Sequence, residues 1–376
     1  MAVEVREVSG RADLERFLKL PWRIYANDAM WVPPLLSDLR KTLDPSRGHP
    51  FHDHAEVALF LARRGRDVVG RIAAIVNRAH NEFHGDKLGF FGLFESDDDQ
   101  GVADALLNAA EQWLLDRGMT AVQGPMNLST NEEVCSPGVL VDGWHRPPAV
   151  LMGHTPSYYA RLIERAGYTK AKDLLAYWIE SEDTPARLKR VYDRLLRDGR
   201  VKLRSLDIRR FDDEVAIVRD IYNSAWERNW GFVPMTAAEL DYMARHLKPI
   251  AEPKLCAFAE VDGEAVGFAL GLPDYNVALK HVNGRLLPFG VFKLLWYRRR
   301  ITHARVITLG LKPGYRARGL DGMLIAHLFI EAKKIGIWKS ECSWILEDNW
   351  DMRRGLERIG AIPDKTYRLF EKPLGT

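Results

Sequence analysis

The sequence has little cysteine and no long apolar run. Cys135, Cys256 and Cys342 are its only cysteines, and their wide spacing argues against both a disulfide framework and a zinc cluster. There is no run of about 18 apolar residues to span a bilayer, and residues 1–11 are charged and lack the apolar core of a secretory signal. These absences predict a cytoplasmic protein in a reducing environment.

The sequence also lacks an excess of charge of one sign. The 54 Lys and Arg residues nearly balance the 51 Asp and Glu residues, so the formal net charge is +3. So weak a net field gives no support for nucleic acid as a partner. His49, His52 and His54 lie with Asp53 in a Pro-flanked loop without a second set of ligands, so we interpret them as surface histidines and expect no metal.

What the sequence does contain is enough apolar side chains for two cores and an element pattern that occurs twice. The chain has 376 residues, of which 47% are hydrophobic, which suits two domains. Strand and helix patterns recur after about 180 residues, which predicts an α/β (α+β) class with two tandem domains, each a mixed central sheet flanked by helices. We place an N-terminal domain at residues 1–180, a basic helical connector at 181–200 and a C-terminal domain at 201–376.

Apolar periodicity predicts two helices in the first half of the chain. Apolar residues at helical spacing predict a helix over residues 12–25 that Pro21 breaks. An amphipathic helix is predicted over residues 101–115, with a stop at Gly118.

One stretch of the second half combines a strand, a basic turn and a helix. Residues 305–311 alternate as a strand, the turn carries Arg316 and Arg318, and apolar residues recur at three and four from Leu324 onward. Unpaired N–H groups at a helix start and the helix dipole attract anions. The pattern therefore favours a phosphate-sized nest, with a solvated basic turn as the alternative.

The run Pro313-x-Tyr315-Arg316-x-Arg318-Gly319-Leu320 resembles the acyl-CoA pyrophosphate loop of the GNAT superfamily of N-acyltransferases. Asp321 stands where the last small residue of that pattern belongs, and Gly322 follows one place late. The resemblance implies acyl-CoA (acetyl-CoA or longer) as co-substrate, with an acyl carrier protein as the alternative donor, and no metal. It implies the following cofactor-binding residues: Leu309, Leu311, Arg316, Arg318, Gly319, Asp321, Gly322 and Asn349.

The first half resembles the same fold but not the same loop. Residues 159–168 resemble the closing segment of a GNAT domain. At the place of the pyrophosphate turn, however, residues 95–100 read Glu-Ser-Asp-Asp-Asp-Gln, and these carboxylates would repel a polyanion. We expect only the second half to bind an acyl carrier through its loop.

Acyl transfer from a thioester to an amine needs a proton acceptor and donors for the developing oxyanion, and sometimes an acid for the leaving thiolate. The acid of the family is commonly a tyrosine in the helix after an asparagine; counted from Asn349, that position is Leu356, so this acid is absent. The candidate catalytic residues are Glu341, Asp274, Tyr275 and Asn349.

Each candidate also has a structural interpretation. Glu341, Ser343 and Ile345 would share one strand face if the strand alternates regularly. Asp274 lies in a segment rich in turn residues, and Glu347 or Asp348 could cap the following helix. Residues 125–133 form a polar segment that we interpret as a hydrogen-bonded loop, with the lining of a substrate cleft as the alternative.

Residues 283–300 insert an apolar, aromatic segment that ends in three arginines. One interpretation is an extra core helix with solvated arginines. The other is an entrance for a long acyl chain or an amphiphilic amine that rests on anionic lipid, which would add peripheral contact with the inner face of the membrane.

Residues 230–235, 273–276 and 343–349 also resemble a narrower group of tandem GNAT proteins, some of which are similar to bacterial ceramide synthases. The resulting hypothesis is an N-acyltransferase that acts on a small or lipid-like amine. A catalytically weak acyl-CoA sensor or a structural partner protein is the alternative. Aminoacyl-tRNA-dependent transfer is least favoured, since it predicts strong RNA binding.

Overall fold

The computed structural model describes residues 2–131, 137–197, 199–225, 229–316 and 318–375. The chain forms two compact units. The first contains the chain up to Leu174, Leu279–Phe292 and the chain from Lys365 onward, and the second contains Leu175–Ala278 and Lys293–Asp364. Each spatial unit is thus assembled from separated segments. The division of the sequence at residues 180 and 200 stays a prediction.

The first unit is built on a mixed sheet. Its strands are β1 (Val3–Glu7), β2 (Ala55–Arg64), β3 (Asp67–Asn77), β4 (Leu88–Ser96), β5 (Ala121–Gly124), β6 (Val139–Asp142) and the part of β13 (Ile362–Pro373) that follows Asp364. They lie in the order β1-β2-β3-β4-β5-β13, with β6 also paired to β13. The pair β4 and β5 is parallel and the other pairs are antiparallel.

The helices of the chain up to Leu174, as far as the structure describes it, are α1 (Gly10–Ile24), α2 (Leu36–Leu43), α3 (Arg78–His84), α4 (Gln100–Leu115) and α5 (Tyr159–Arg165). Helix α4 buries Val102, Leu106 and Ala110 along one side, which confirms the predicted amphipathic helix. The break predicted at Pro21 is wrong, because α1 continues through it. Pro21 is itself buried with Phe17 and Leu18, so apolar packing offsets the hydrogen bond that proline removes.

The strands of the second unit are also mixed in direction and lie in the order β7-β12-β11-β10-β9-β8. These strands are β7 (Thr169–Glu180, from Leu175 onward), β8 (Val201–Ser205), β9 (Cys256–Val261), β10 (Glu264–Pro273), β11 (His303–Leu311) and β12 (Lys339–Leu346). Strands β11 and β12 are parallel, whereas β8, β9, β10 and β11 pair antiparallel in turn.

The remaining helices are α6 (Ala186–Arg197), α7 (Phe211–Ala225), α8 (Ala237–Leu247), α9 (Asn276–Val282), α10 (Gly290–Tyr297), α11 (Leu320–Lys333) and α12 (Trp350–Glu357). On one face of the strands of the second unit, Phe258 and Phe268 pack against Ile221 of α7. On the other, Leu311 packs with Met323 of α11. Within the described ranges, no helix combines the length and the apolar composition needed to cross a membrane.

The two halves share an element order that confirms the predicted fold class. In each, an antiparallel hairpin leads to a third strand, a helix and then a strand parallel to the third one. These elements are β2-β3-β4-α4-β5 in the first half and β9-β10-β11-α11-β12 in the second. The turn between the third strand and its helix is therefore the structural counterpart in each half.

Candidate active site

The basic turn of the second half leads directly into α11. Lys312 N donates to the Val266 carbonyl at 2.9 Å, a short 3₁₀ turn follows at Pro313–Tyr315, and Gly319 precedes the helix with φ of 81°. Glycine adopts this left-handed conformation without strain. Because the capping residue has no side chain, the first N–H groups of α11 can donate to an anion.

Three guanidinium groups border this helix start. Arg316 and Arg318 are exposed; Arg316 donates to the Ala225 carbonyl and Arg318 lies over the Tyr315 ring. The third belongs to α6, where Arg194 Nη2 is 3.7 Å from the position of a Cβ built on Gly319. Sequence reasoning assigned Arg194 to the connector and missed it as a candidate phosphate ligand.

Asp321 and Lys312 contribute differently from these arginines. Asp321 is exposed in the first turn of α11. Lys312 Nζ is paired with Asp220 Oδ2 at 2.7 Å and Glu264 Oε1 at 2.9 Å, and these hydrogen bonds raise its pKa. The charge of Lys312 is thus already engaged by carboxylates.

Gly322 faces α6. A Cβ at this position would lie 3.6 Å from Leu188 Cδ2 and 3.7 Å from Val191 Cγ1, both on α6. A small residue here lets the two helices approach closely. The structure therefore places Gly322 at a helix contact, although the sequence resemblance implies a role in the loop.

The counterpart turn in the first unit carries its own anions. Asp99 caps α4 by accepting from Val102 N at 3.3 Å and pairs with Arg64 at 2.8 Å. Asp97 pairs with Arg23. The N-terminus of α4 is thus occupied by a side chain of the protein, which favours the prediction that this turn does not hold phosphate.

Strands β11 and β12 separate part of the way along their length. Their parallel ladder joins His303–Val306 to Lys339–Cys342, while β11 runs on to Leu311. Against β10, Val306 and Thr308 oppose consecutive residues, so Ile307 forms a bulge. The five residues beyond Val306 give about 17 Å of strand that is not in that ladder. Leu309 and Leu311 pack in the apolar cluster beneath α11, so what they can offer a ligand is backbone.

A buried polar cluster lies where the ladder ends. Arg305 Nε donates to Ser343 Oγ at 2.9 Å, Arg305 Nη2 donates to the Ser343 carbonyl at 3.1 Å, and Ser343 Oγ donates to Glu341 Oε1 at 2.7 Å. All three residues are at most 3% exposed. Arg305 is directly opposite Glu341 in the ladder. Because the two residues are 36 positions apart in the sequence, sequence reasoning did not predict that they are neighbours.

The predicted face of β12 is only partly as expected. Glu341 and Ser343 are hydrogen-bonded neighbours, whereas Ile345 packs in another cluster with Tyr177 and Leu356. Cys342 belongs to that cluster too, and burial raises the pKa of its thiol to about 12. Leu356, at the position of the family tyrosine, is therefore a core residue.

Asp274 is joined to His303 beside this cluster. Because a carboxylate only accepts, His303 Nε2 donates to Asp274 Oδ2, at 2.8 Å. Asp274 Oδ1 also accepts from Asn276 N at 3.0 Å, so Asp274 takes its predicted turn role and also pairs with His303. His303 is two residues from Arg305 and hence on the same face; sequence reasoning missed it. Tyr275 is half-buried next to Asp274.

Asn349 caps α12, since its side-chain oxygen accepts from Met352 N at 3.3 Å. The cap is therefore Asn349, and neither Glu347 nor Asp348 takes that position. This bond engages the side-chain oxygen of Asn349, a residue predicted as a candidate for catalysis and for cofactor binding.

The histidine interpretation needs one correction. His49 is 1% exposed and its Nδ1 accepts from Phe51 N, so it is a buried turn residue. Among the residues that the structure describes, no group of three His, Cys, Asp or Glu side chains is arranged to hold a metal ion.

The polar segment at residues 125–133 shows loop hydrogen bonds. Asn127 Oδ1 accepts from Leu93 N and Ser129 Oγ accepts from Asn131 N. Glu132 and Glu133 lie outside the described residues.

Comparison with known proteins identifies one matching family and two similar proteins. Residues 215–360 match the model of the "Acetyltransferase (GNAT) family". The chain is 42% identical over 380 residues to "Bacterial ceramide synthase" of Caulobacter vibrioides (strain NA1000 / CB15N), covering 99% of this chain and 98% of that protein. It is 38% identical to "Protein YghO" of Escherichia coli (strain K12), covering 98% and 95%.

Among solved structures, the chain resembles a tandem GNAT protein from the clavulanic acid biosynthesis pathway. The TM-score is 0.59 at 14% identity, and the match covers 100% of this chain and 99% of that one. At this identity the likeness concerns the fold.

Proposed function

Because this chain belongs to the GNAT family of acyltransferases, we propose that it transfers an acyl group from acyl-CoA to the amine of a lipid-like acceptor. The observation that carries the proposal is that one strand, β11, connects the buried polar cluster at Arg305 to the turn before α11, where N–H groups are available to an anion. The relative named for ceramide synthesis, similar over nearly its full length, supports the choice of a lipid-like amine.

The α11 end of the site suits the diphosphate of CoA. The uncapped N–H groups at Gly319 and the side chains of Arg194, Arg316 and Arg318 supply donors and positive charge. The pantetheine arm, which carries amide groups, can follow the edge of β11 beyond Val306 and pair with its backbone. This path leads the thioester toward Arg305.

Proton transfer is assigned to His303. In the reaction the amine nitrogen attacks the thioester carbonyl carbon, the C–S bond breaks, and the attacking nitrogen loses a proton. His303 is 23% exposed in its side chain, against 5% for Asp274, so it is the member of the pair that substrate reaches. Asp274 fixes the tautomer in which Nε2 carries the proton and Nδ1 accepts one.

The other candidates take supporting roles in this proposal. Glu341 and Ser343 are buried and hold the Arg305 side chain in place through hydrogen bonds, and the Tyr275 hydroxyl is the candidate proton donor to the leaving thiolate. Asn349 supports the site through the start of α12.

The test is product formation from palmitoyl-CoA and a long-chain amino alcohol, followed by mass spectrometry. His303→Gln is expected to lower kcat at least about 100-fold, with the dissociation constant for palmitoyl-CoA unchanged. His246→Gln is the matched control, because His246 is an exposed histidine on α8. Full activity of His303→Gln would remove His303 from the mechanism; absence of any product with the wild-type protein would contradict the proposed function.

A carrier-protein donor is the competing outcome for the same arginines. If acyl carrier protein supports turnover and acyl-CoA does not, the arginines at the start of α11 bind an acidic protein surface instead of a diphosphate.

A further inference from the structure

A group of large apolar side chains is exposed around α10. Leu287, Phe289, Phe292 and Trp296 are 77%, 70%, 69% and 61% exposed, and Val291 and Leu295 add 37% and 43%. We call these six residues the α10 patch. They are close in sequence and cover the outer side of a single helix and the turn before it, whereas Gly290, Leu294 and Tyr297 form its less exposed side.

The turn before α10 is closed tightly. Val291 N donates to the Leu286 carbonyl at 2.8 Å. A Cβ at Gly290 would come within 2.0 Å of the Arg285 carbonyl oxygen, so only glycine fits there. Trp22 Nε1 also donates to Asn283 Oδ1 at 2.8 Å at the base of the segment. The patch is thus presented by a defined local structure that keeps it from folding back.

Residues 283–300, which contain the patch, are basic and carry no acidic side chain. Residues 283–300 contain Arg285, Lys293, Arg298, Arg299 and Arg300 and no Asp or Glu, and all five basic residues are exposed. Exposed aromatic and aliphatic side chains with adjacent Lys and Arg are the combination that binds at the interface of an anionic bilayer. A core helix, the structural alternative from the sequence, would not leave these six side chains in solvent.

We propose that the α10 patch and its basic residues form a docking surface for anionic phospholipid. Phe289, Phe292 and Trp296 enter the headgroup region, and Arg298 and Arg299 contact lipid phosphates. A second copy of the chain is a poorer occupant, because facing patches would bring five positive charges on each side together. The proposal stands without the proposed function, since it rests on exposure and charge alone.

Vesicle co-sedimentation of the full chain provides the test. Wild-type protein should bind vesicles of phosphatidylcholine with phosphatidylglycerol, bind pure phosphatidylcholine far less, and lose binding as salt rises. The triple variant Phe289→Ser, Phe292→Ser, Trp296→Ser should lose binding. Phe83→Ser, which removes an exposed phenylalanine elsewhere, is the control and should bind as wild type does.

The charge contribution has its own pair of variants. Arg298→Glu with Arg299→Glu should weaken binding to the anionic vesicles by about tenfold or more, because each basic residue contributes about 1 kcal/mol at such a surface. Arg11→Glu with Arg66→Glu makes the same charge change at exposed positions outside residues 283–300 and should leave binding unchanged.

Three results would overturn the proposal. In the first, the wild-type protein does not bind anionic vesicles. In the second, the patch variants bind them as the wild type does. In the third, sedimentation velocity shows that the wild-type protein is a dimer and the triple variant a monomer. The last would identify the patch as an interface between copies. Catalytic activity enters none of these readouts, so failure here and failure of the proposed function are distinguishable.

Discussion

Two glycines three positions apart in the α11 start should respond in opposite ways to the same substitution. Gly319 has φ of 81°, a conformation that costs an alanine roughly 1–2 kcal/mol. Its Cβ would also lie 3.3 Å from Val191 Cγ1. In Gly322→Ala the nearest atoms are at 3.6 and 3.7 Å, an ordinary contact, and alanine is favoured over glycine inside a helix by about 0.5–1 kcal/mol.

The free energies of unfolding of the two variants should therefore differ by roughly 1.5–3 kcal/mol, with Gly319→Ala below wild type and Gly322→Ala above it. Urea denaturation with linear extrapolation measures this difference. Titration calorimetry with acyl-CoA gives the second readout. Gly319→Ala should weaken binding, because it displaces the N–H groups at the helix start, and Gly322→Ala should not, because its Cβ faces α6.

The reasoning fails if Gly322→Ala weakens acyl-CoA binding while its stability is unchanged or raised. That result would mean that residue 322 touches the phosphates, as the sequence resemblance alone implies.

Three further perturbations probe separate parts of the molecule. Arg316→Glu should weaken acyl-CoA binding at least about tenfold, through loss of a charge-assisted contact and added repulsion, whereas the exposed Arg209→Glu should bind as wild type does. Burial raises the pKa of the Cys256 thiol to about 12, so a Cys135→Ser, Cys342→Ser variant should react with a disulfide reagent only on unfolding; rapid labelling of the native variant would refute this. Burial also raises the pKa of Glu95 above its usual 4.5. The stability it contributes is therefore present below pH 4.5 and is lost as pH rises through the folded pKa, so Glu95→Gln should flatten the pH dependence of unfolding over that range.

The loop and its helix could be predicted from sequence because their signals are local. Alternation, a glycine with basic neighbours and a helical apolar period all lie within one short stretch ending at Ile335. Features that depend on tertiary packing could not be predicted in this way. Helix α1 continues through Pro21 because its neighbours are buried, and nothing in the sequence near Pro21 states that.

In the candidate site, likewise, some residues could be named from the sequence, whereas their partners could be found only from the structure. Glu341 and Asp274 were predicted as candidate catalytic residues, but Arg305 and His303, which lie opposite them, both belong to β11. Their roles depend on register: Arg305 faces Glu341 only because β11 and β12 pair in parallel at that position. A polar residue inside an apolar strand is the signal that could have found Arg305, since burying a charge requires partners.

The most direct test of the central claim is thiol release measured across acyl-CoA chain lengths with a long-chain amino alcohol and a short amine as acceptors. Burial of only two methylenes, at about 0.8 kcal/mol each, gives about a tenfold preference. We therefore predict that kcat/KM for palmitoyl-CoA with the long-chain acceptor exceeds that for acetyl-CoA with the short amine by at least about tenfold. Preference for acetyl-CoA and the short amine would contradict lipid-like N-acylation, and thermal stabilisation by acyl-CoA without thiol release on any amine would identify a sensor instead.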